Sequence, residues 1–481
     1  MKTKLRISAR QSELARYQAY QVGEALQKAN PQLEVEYLFR ESLGDKNLQN
    51  PLWKMPEKGV FTEDFYLDLV EEKTEMVVHS WKDLPTQEKP DTYIAATLPR
   101  ADQRDFLLFK KSSRQKKNLK FFSSSPRRIH NLKDFFSWAL PSNVEKLEFE
   151  SVRGNIPTRV RKWLADDSID GLVLAKAALD RLLDGDKFPE TRDFLRETLN
   201  TSDWMVLPLS YDPNAAAQGA LAVEIKQGRS DVADLLKTIN CEATFSAVEK
   251  ERQILQAFGG GCHLALGMSY LKRSYGDVKI VRGLTPDGQS IFEKVLVTDK
   301  ALPANVQRTR LEFQAERKER PTPDVQHLDA LYVAKADAWT LNHEFKGIVW
   351  TAGCETWKKL AARGVWVHGS SESLGEVEDL RIEHFFVEPL KWGRLSHSLS
   401  QAGYGDKQTI AAYDLSLSLI SQNIKTENTA FIWTSPQEFD LAVSQVPDIQ
   451  KAFHICGPGR TYEVLRQRLG SDERLFVELL N

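Results

Sequence analysis

Apolar and polar residues follow two different periods along the first hundred positions. Residues 33–39 alternate between apolar and polar side chains, which is typical of a half-buried strand. Residues 61–73 instead repeat apolar side chains at helical spacing, and Ser12 can cap a second helix that runs towards Lys28. Strands separated by helices predict a parallel sheet with helices on its faces.

The same pattern restarts near Arg104 and predicts a second unit of this kind. One long helix is then predicted from about residue 231 to residue 258, directly before a run of three glycines that ends at Cys262. The further predicted elements are strands at 147–152, 171–174, 278–280 and 291–297, a short strand around Tyr270, and a helix at 157–164.

A polar, proline-rich stretch at residues 319–324 is the best linker candidate in the chain. Beyond it, a weak internal repeat joins a strand, a glycine turn, a short helix and a final glycine, first at residues 348–364 and again at 453–470. Two related α/β lobes would explain the repeat. Chance would explain it too, because the spacing differs by one residue at the final glycine.

The composition is that of an ordinary globular protein. The chain has 481 residues and a net charge of -2, so we expect roughly three or four domains of about 100–150 residues and no general attraction to nucleic acid. No apolar run approaches the ~20 residues that a membrane span needs, and no secretory signal is apparent. The four cysteines (Cys241, Cys262, Cys354 and Cys456) lie far apart, so we expect no disulfide framework, no metal site and a reducing, cytoplasmic location.

Basic residues recur where strands are predicted to end and helices to begin. In open α/β sheets, ligands bind beyond the carboxyl ends of strands, and several guanidinium groups there would suit a ligand with many carboxylates. Each cation taken alone is more often a solvated surface charge. The basic positions are Arg10, Lys54, Lys58, Lys82, Arg127, Arg128, Arg153 and Arg159.

Two residues near these cations are candidates for chemistry. Asp83 follows Lys82 after a buried strand and could hold a substrate cation and transfer protons, although an Asp before Leu-Pro is more often a turn residue. Cys262 could present a nucleophilic thiol to a cavity, although a lone cysteine is usually a small buried hydrophobe. His263 could tune that thiol or simply belong to the loop.

Nine short motifs occur in the order and rough spacing of the porphobilinogen deaminases, and the chain resembles that family from about Leu5 to Ala315. Single fragments such as Arg-Gly-Asn are weak evidence, but the set that ends in the glycine-rich cysteine loop is specific. The motifs are Arg10-Gln11-Ser12, Gly44-Asp45, Lys58-Gly59-Val60-Phe61-Thr62, His79-Ser80-Trp81-Lys82-Asp83-Leu84-Pro85, Ser123-Ser124-Ser125-Pro126-Arg127-Arg128, Val152-Arg153-Gly154-Asn155, Thr158-Arg159, Gln218-Gly219-Ala220 and Gly259-Gly260-Gly261-Cys262.

The resemblance implies an α/β protein with three deaminase domains, two of them like a periplasmic binding protein and the third a small α+β cofactor domain, followed by a C-terminal α/β region. It also implies that the chain crosses back to the first domain near Gln218. The expected boundaries are 1–100 plus about 217–238 for domain 1, 101–216 for domain 2, 239–317 for domain 3, 318–326 for a linker and 327–481 for the C-terminal region.

The activity implied by the resemblance is that of a hydroxymethylbilane synthase. Such an enzyme joins four porphobilinogen molecules head to tail, releases ammonia each time, and starts from a dipyrromethane cofactor, here expected on Cys262. Asp83 matches the catalytic acid, and we expect a monomer that binds neither nucleic acid nor membranes. The implied cofactor-binding residues are Lys82, Ser125, Arg127, Arg128, Arg153 and Arg159. The implied substrate-binding residues are Arg10, Ser12, Lys58, Arg181 and Gln218.

Three departures from the family pattern bear on elongation. Leu43 stands where an Arg usually precedes Gly-Asp, Pro126 replaces a residue that is usually Leu, and residues 213–218 follow the pattern loosely. The loss of one cation could change elongation or the closure of the loop at residues 44–59, which we expect to act as a lid. The remaining positions are expected to keep the activity.

The C-terminal third more faintly resembles uroporphyrinogen-III synthase, which cyclises the product of the deaminase. The matching residues are Trp433-Thr434-Ser435-Pro436 and Gly457-Pro458-Gly459-Arg460-Thr461. A degenerate, non-catalytic pair of lobes is the alternative.

Two other hypotheses concern the whole chain. A non-catalytic α/β binding protein for a polycarboxylate metabolite would fit the predicted layout, but the cysteine loop opposes it. A nucleic-acid-binding protein would use the same cations, but the near-neutral charge and the lack of a reading-helix motif oppose it.

Overall fold

The computed structural model describes residues 3–41, 63–87, 89–261, 264–341, 345–375, 380–400 and 407–479. The chain divides into two compact units. The first unit comprises Met1–Ser137, Asn143–Lys272 and Ile280–Glu293, and the second comprises Trp138–Ser142, Arg273–Lys279 and Lys294–Asn481. Both belong to the mixed α/β class. Within the described ranges, every helix is too short or too polar to cross a membrane.

Strands and helices alternate through most of the chain, as the sequence pattern predicts. Up to residue 297 the elements are β1 (Thr3–Arg10), α1 (Glu13–Ala29), β2 (Leu33–Arg40), α2 (Glu63–Val70), β3 (Met76–Ser80), β4 (Thr92–Ala96), β5 (Asp105–Phe109), β6 (Asn118–Phe122), α3 (Pro126–Ala139), β7 (Lys146–Glu150), α4 (Ile156–Ala165), β8 (Gly171–Ala175), α5 (Lys176–Leu183), α6 (Pro189–Thr201), β9 (Asp203–Val206), β10 (Leu221–Lys226), α7 (Ser230–Lys237), α8 (Glu242–Ala257), β11 (Leu266–Leu271), β12 (Asp277–Leu284) and β13 (Ser290–Val297). Beyond residue 297 the elements are β14 (Gln307–Thr309), β15 (Phe313–Glu319), β16 (Ala330–Val333), β17 (Ile348–Thr351), α9 (Cys354–Ala361), β18 (Gly369–Ser370), β19 (Trp392–His397), β20 (Gln408–Leu419), β21 (Thr429–Trp433), α10 (Pro436–Gln445), β22 (Phe453–Cys456), α11 (Arg460–Leu469) and β23 (Leu475–Val477).

Two five-stranded sheets of the first unit share one topology. Their strand orders are β2-β1-β3-β10-β4 and β7-β6-β8-β5-β9. In each sheet the first three strands are parallel, as predicted. The fourth strand, β10 or β5, is antiparallel to both its neighbours. The chain enters β5 on leaving the first sheet and enters β10 on returning from the second, so each crossing supplies the antiparallel strand.

The core of the first sheet lies against α1. Ile7, Val22, Met76 and Val223 come from four different elements, and the side chain of each is fully buried in one cluster. Leu5, Ile7 and Ala9 point to the same face of β1, because successive side chains of a strand point to opposite faces, and all three are buried in this cluster. Burial of each such side chain contributes about 1.5–3 kcal/mol to folding.

The single helix predicted for residues 231–258 is two helices, α7 and α8. The apolar side chains of Val232 and Leu236 on α7 pack into the core of the first sheet. Val248 on α8 packs instead against a separate cluster around Trp81. The chain bends between them, where the Cys241 N–H donates to the Thr97 carbonyl at 2.8 Å. A periodic pattern does not reveal that its two ends face different cores.

After the glycine run, a three-stranded sheet has the order β11-β12-β13.

The second unit contains two sheets, and the chain passes from the first to the second and then back to the first. The four-stranded parallel sheet has the order β14-β21-β22-β23, and the six-stranded sheet has the order β15-β20-β19-β16-β17-β18. Strands β15 and β20 are antiparallel over seven residue pairs and carry the chain into and out of the six-stranded sheet. The predicted linker at 318–326 therefore begins inside β15. This edge strand is charged and exposed, as edge strands often are, and it resembles a linker for that reason.

The internal repeat predicted for the C-terminal third is present as structure. Strand β17 leads into α9, and β22 leads into α11. Each unit ends at a glycine with positive φ, +83° at Gly364 and +71° at Gly470, the left-handed conformation that commonly ends a helix. The two sheets thus each contain one copy of the strand–turn–helix unit.

Candidate active site

A cavity of about 550 Å³ in the first unit brings together most of the residues proposed from the sequence. It lies where residues that follow parallel strands of both five-stranded sheets meet. Its lining includes Asp83 together with Arg10, Ser12, Lys82, Arg128, Arg153, Arg159, Arg181 and Gln218.

The first sheet positions its share of these residues through β1 and β3. Arg10 is the last residue of β1, and Ser12 caps α1, its Oγ accepting a hydrogen bond from the Ala15 N–H at 3.4 Å. Lys82 and Asp83 occupy a short 3-10 turn directly after β3. The first residue of that turn is a buried tryptophan, which anchors the turn in the core.

The second sheet contributes arginines from the helices that follow its strands. Arg128 lies in the first turn of α3, after β6. Arg153 follows β7 and comes just before α4, and Arg159 lies on α4, where its Nε donates to the Gly154 carbonyl at 2.7 Å. Arg181 lies on α5 after β8, and its Nη2 donates to the Gly219 carbonyl at 2.8 Å. The carboxyl ends of parallel strands therefore gather the cations, as the sequence predicts.

The electrostatics of the cavity favour an anionic ligand. Burial lowers the pKa of Lys82 to about 8, and the nearby Arg128 charge acts in the same direction. Burial also lowers the pKa of Arg159 and of Arg181 to about 10 each, with repulsion from neighbouring arginines adding to the effect at Arg159. Carboxylates of a ligand would relieve this repulsion and replace the lost hydration.

Asp83 is one of two acidic residues in the described lining of the cavity, the other being Glu41. Asp83 is exposed and lines the cavity, and within the described residues no hydrogen bond or ion pair occupies its carboxylate. Its charge favours the protonated forms of Lys82 and Arg159. A carboxylate free to face a ligand among cations can stabilise a positive charge that develops on that ligand.

Gln218 lines the cavity but is fully engaged with the protein. Its Oε1 accepts a hydrogen bond from Lys82 Nζ at 3.2 Å. Its Nε2 donates to Asp105 Oδ1 and to the Gln103 carbonyl, each at 2.8 Å. Its predicted contact with substrate stays a prediction.

Arg127 and Ser125 lie outside the cavity lining. Arg127 is buried, and its Nη2 and Nη1 each lie 2.6 Å from a carboxylate, those of Asp105 and Asp212 respectively. Ser125 precedes α3 and accepts a long hydrogen bond (3.5 Å) from the Arg128 N–H. Contact of either residue with the cofactor stays a prediction. Neither aspartate is among the residues predicted from the sequence, because each lies far along the chain from the arginine that it pairs with.

The predicted attachment residue, Cys262, lies outside the described residues, as do His263, Lys58, Lys54, Leu43 and the loop at 44–59. The three glycines before Cys262 are described, and all have positive φ (+90°, +66° and +110°). A Cβ placed on Gly260 would lie 2.9 Å from Thr86 Oγ1, three residues after Asp83. The turn that leads to Cys262 therefore packs against the segment that carries Asp83.

Comparison with known proteins identifies the family. A model described as "Porphobilinogen deaminase, dipyromethane cofactor binding domain" matches residues 5–234. The porphobilinogen deaminase of Syntrophomonas wolfei is 35% identical over 58% of this chain and 84% of its own length. The chain belongs to the porphobilinogen deaminase family. The porphobilinogen deaminases of Gloeobacter violaceus (31% identical, over 54% of this chain and 75% of the relative) and Moorella thermoacetica (34% identical, 54% and 77%) agree.

As a porphobilinogen deaminase, the chain is a transferase and a hydroxymethylbilane synthase that uses a dipyrromethane cofactor. The cavity fits that group, because its cations match the carboxylates of a dipyrromethane. The resemblance of the C-terminal third to uroporphyrinogen-III synthase finds no support in these comparisons. Among solved structures, YhfZ from Shigella flexneri matches 54% of this chain and 98% of its own, at 11% identity and a TM-score of 0.25, too low to establish a shared fold.

Proposed function

We propose that the first unit condenses porphobilinogen in the 550 Å³ cavity, with Asp83 as its catalytic residue and the surrounding cations as its carboxylate-binding residues. The observation that carries the proposal is that this one cavity is lined by Asp83 and eight of the residues predicted to bind cofactor or substrate. Each added unit brings two carboxylates, so the growing chain needs many cations. The intermediate left by the loss of ammonia is positively charged and needs a carboxylate.

In the proposed mechanism, Arg128, Arg153 and Arg159 hold carboxylates by charge-assisted hydrogen bonds and fix the orientation of the growing chain. The Asp83 carboxylic acid donates its proton to the leaving amine, and the carboxylate formed in that step then stabilises the positive charge on the pyrrole. The dipyrromethane, when bound, supplies the primer to which units are added. Lys82 adds one more positive charge beside Asp83.

Replacement of Asp83 tests its role. We expect Asp83→Asn to lower turnover by about 10²–10⁴-fold, the usual contribution of a positioned acid–base group, without a change in thermal stability. The matched control is Asp134→Asn, which changes an exposed carboxylate paired only loosely with Arg282, at 3.4 Å, and should keep full turnover. Near-normal turnover of Asp83→Asn would refute the assignment.

Cys262 is proposed as the attachment residue, supported by the packing of Gly260 against Thr86. The intact mass of protein from cells that make porphobilinogen should exceed the sequence mass by two linked pyrrole units. Cys262→Ser should lose that excess, whereas Cys241→Ser, which changes a free thiol at the start of α8, should keep it. An unmodified wild-type mass would count against the proposal.

The predicted domain division is also retained as a proposal. Pairing of β10 with β3 and β4 supports the return of the chain to domain 1 at about residue 217, and the second five-stranded sheet falls within 101–216. Domain 3 is proposed to begin at 239. A monomeric state, a cytoplasmic location and the absence of nucleic-acid and membrane partners stay predictions.

For the second unit we propose a role in cyclising hydroxymethylbilane, supported by its two sheets with one strand–turn–helix unit each and by the β15–β20 connection between them. Product analysis tests this proposal in the full-length chain. With porphobilinogen as the only substrate, we expect the uroporphyrinogen III isomer. Formation of the I isomer alone, which arises by spontaneous closure, would refute it.

A further inference from the structure

A buried carboxylate outside the cavity holds three of the side chains around it. Asp105 is the first residue of β5 and is fully buried. It accepts two hydrogen bonds from Arg128, from Nε at 2.9 Å and from Nη2 at 2.7 Å. It also accepts one from Arg127 Nη2 at 2.6 Å and one from Gln218 Nε2 at 2.8 Å.

Two of these partners face the cavity, whereas Asp105 itself is not part of the lining. Arg128 is held directly and in bidentate geometry, which fixes the plane of its guanidinium group. The Gln218 amide is held with its NH2 group towards Asp105, so its Oε1 faces Lys82 Nζ. The Gln103 carbonyl accepts a hydrogen bond from the same NH2 group at 2.8 Å, so Asp105 and this carbonyl hold the amide in that orientation together.

The second carboxylate of this network, Asp212, provides a natural contrast. It is equally buried; it pairs with Arg127, which is outside the cavity lining, and lies against Asp105. Burial raises the pKa of Asp212. Burial also opposes ionisation of Asp105, but Arg127 and Arg128 outweigh that effect and lower its pKa. Asp105 is therefore the member whose ionised form is the more strongly favoured.

We infer that Asp105 is a positioning residue of the deaminase: it aims Arg128 directly, and Lys82 through the Gln218 amide, at carboxylates of the cofactor and growing chain. The inference rests on the function proposed for the cavity. One buried carboxylate thus holds Arg128 directly and contacts the same Gln218 amide as Lys82. The charge of Arg128 disfavours the ammonium form of Lys82, so the two side chains repel each other.

The test compares Asp105→Asn with the control Asp212→Asn in the full-length protein carrying its dipyrromethane. Each variant removes one carboxylate oxygen from a fully buried site in contact with Arg127. We expect Asp105→Asn to raise the KM for porphobilinogen at least tenfold, while Asp212→Asn changes it less than twofold. An unchanged KM in Asp105→Asn, or an equal rise in both variants, would overturn the inference.

A second variant keeps the inference testable if Asp105→Asn does not fold. Gln218→Met retains the Asp105–arginine pairs and removes the Gln218 amide, with its hydrogen bonds to Asp105, to the Gln103 carbonyl and to Lys82. Loss of the hydrogen bond with the charged ammonium should lower the Lys82 pKa, so the alkaline limb of the kcat/KM profile should move to lower pH and KM should rise. A wild-type profile and KM would overturn the inference. Wild-type protein without turnover or pyrrole mass would instead contradict the proposed function itself.

Discussion

Arg100 and Glu251 form a bidentate ion pair, with Nη1–Oε1 and Nη2–Oε2 distances of 2.8 and 2.7 Å, and Glu251 is fully buried. The same carboxylate accepts hydrogen bonds from the backbone N–H groups of Ala217 and Tyr270. Arg100 in turn donates from Nε to the Gln218 carbonyl at 2.9 Å. The pair therefore joins α8, the helix that leads to the glycine turn, to the segment on which the chain returns to the first sheet.

Glu251→Gln should destabilise the protein strongly, because it removes the negative charge of a fully buried carboxylate that pairs with Arg100. Breaking one side of a buried ion pair typically costs about 3–5 kcal/mol, and urea unfolding would measure the loss. Asp234→Asn is the control, since its pair with Lys237 on α7 is exposed on both sides and should leave the unfolding midpoint unchanged. Equal midpoints for the two variants would show that the buried pair contributes nothing specific.

Gly219→Ala should be more damaging than Gly228→Ala. Both glycines have positive φ, +89° and +82°, so a side chain strains the backbone by about 1–2 kcal/mol at either site. A Cβ on Gly219 would also lie 2.7 Å from the Ala101 carbonyl oxygen, whereas no atom of the residues that the structure describes lies within 4 Å of one on Gly228. Thermal unfolding should rank the two variants in that order. Equal losses of stability would mean that the protein relieves the close contact with Ala101 without being destabilised by it.

More of the cavity than of the hydrogen-bond network around Asp105 could be predicted from the sequence. Arg10, Lys82 and Asp83 are recognisable because they directly follow apolar strands, and the sheet topology then brings strand ends together. Asp105 gave no such signal: its partners Arg128 and Gln218 lie 23 and 113 positions further along the chain. A buried ion pair depends on which elements pack together, and periodicity does not encode that.

The errors in the element prediction have the same origin. The break between α7 and α8 follows from packing against two cores, and neither core is visible in a helical repeat. Strand β15 is charged and exposed along its edge, so the sequence pattern predicts part of it as a linker. Patterns of polarity report exposure, whereas strand pairing and the direction of burial are properties of the fold.

The catalytic efficiency should depend on the protonation of Lys82. Because burial lowers its pKa to about 8, the ammonium loses its proton as pH rises through that value, and a cation that faces the carboxylates of the ligand disappears. We therefore expect kcat/KM to fall above pH about 8. In Lys82→Arg the cation persists, so the alkaline limb should move well above pH 9. If kcat/KM falls at the same alkaline pH in both proteins, the fall is due to a group other than Lys82.

The second unit should lose stability in mild acid through His454. Its Nδ1 accepts a hydrogen bond from Trp433 Nε1 at 3.0 Å, and burial lowers its pKa to about 4. An unfolded histidine titrates near 6.5, so between about pH 6.5 and 4 the unfolded chain binds a proton that the folded unit excludes. Stability due to this group is present above that window and declines as pH falls through it, by up to about 3 kcal/mol. His454→Gln keeps an acceptor for Trp433 but cannot titrate, so hydrogen exchange in β22 between pH 7 and 4.5 should respond less to acid than in the wild type. The same acid response in both proteins would show that the buried imidazole does not drive it.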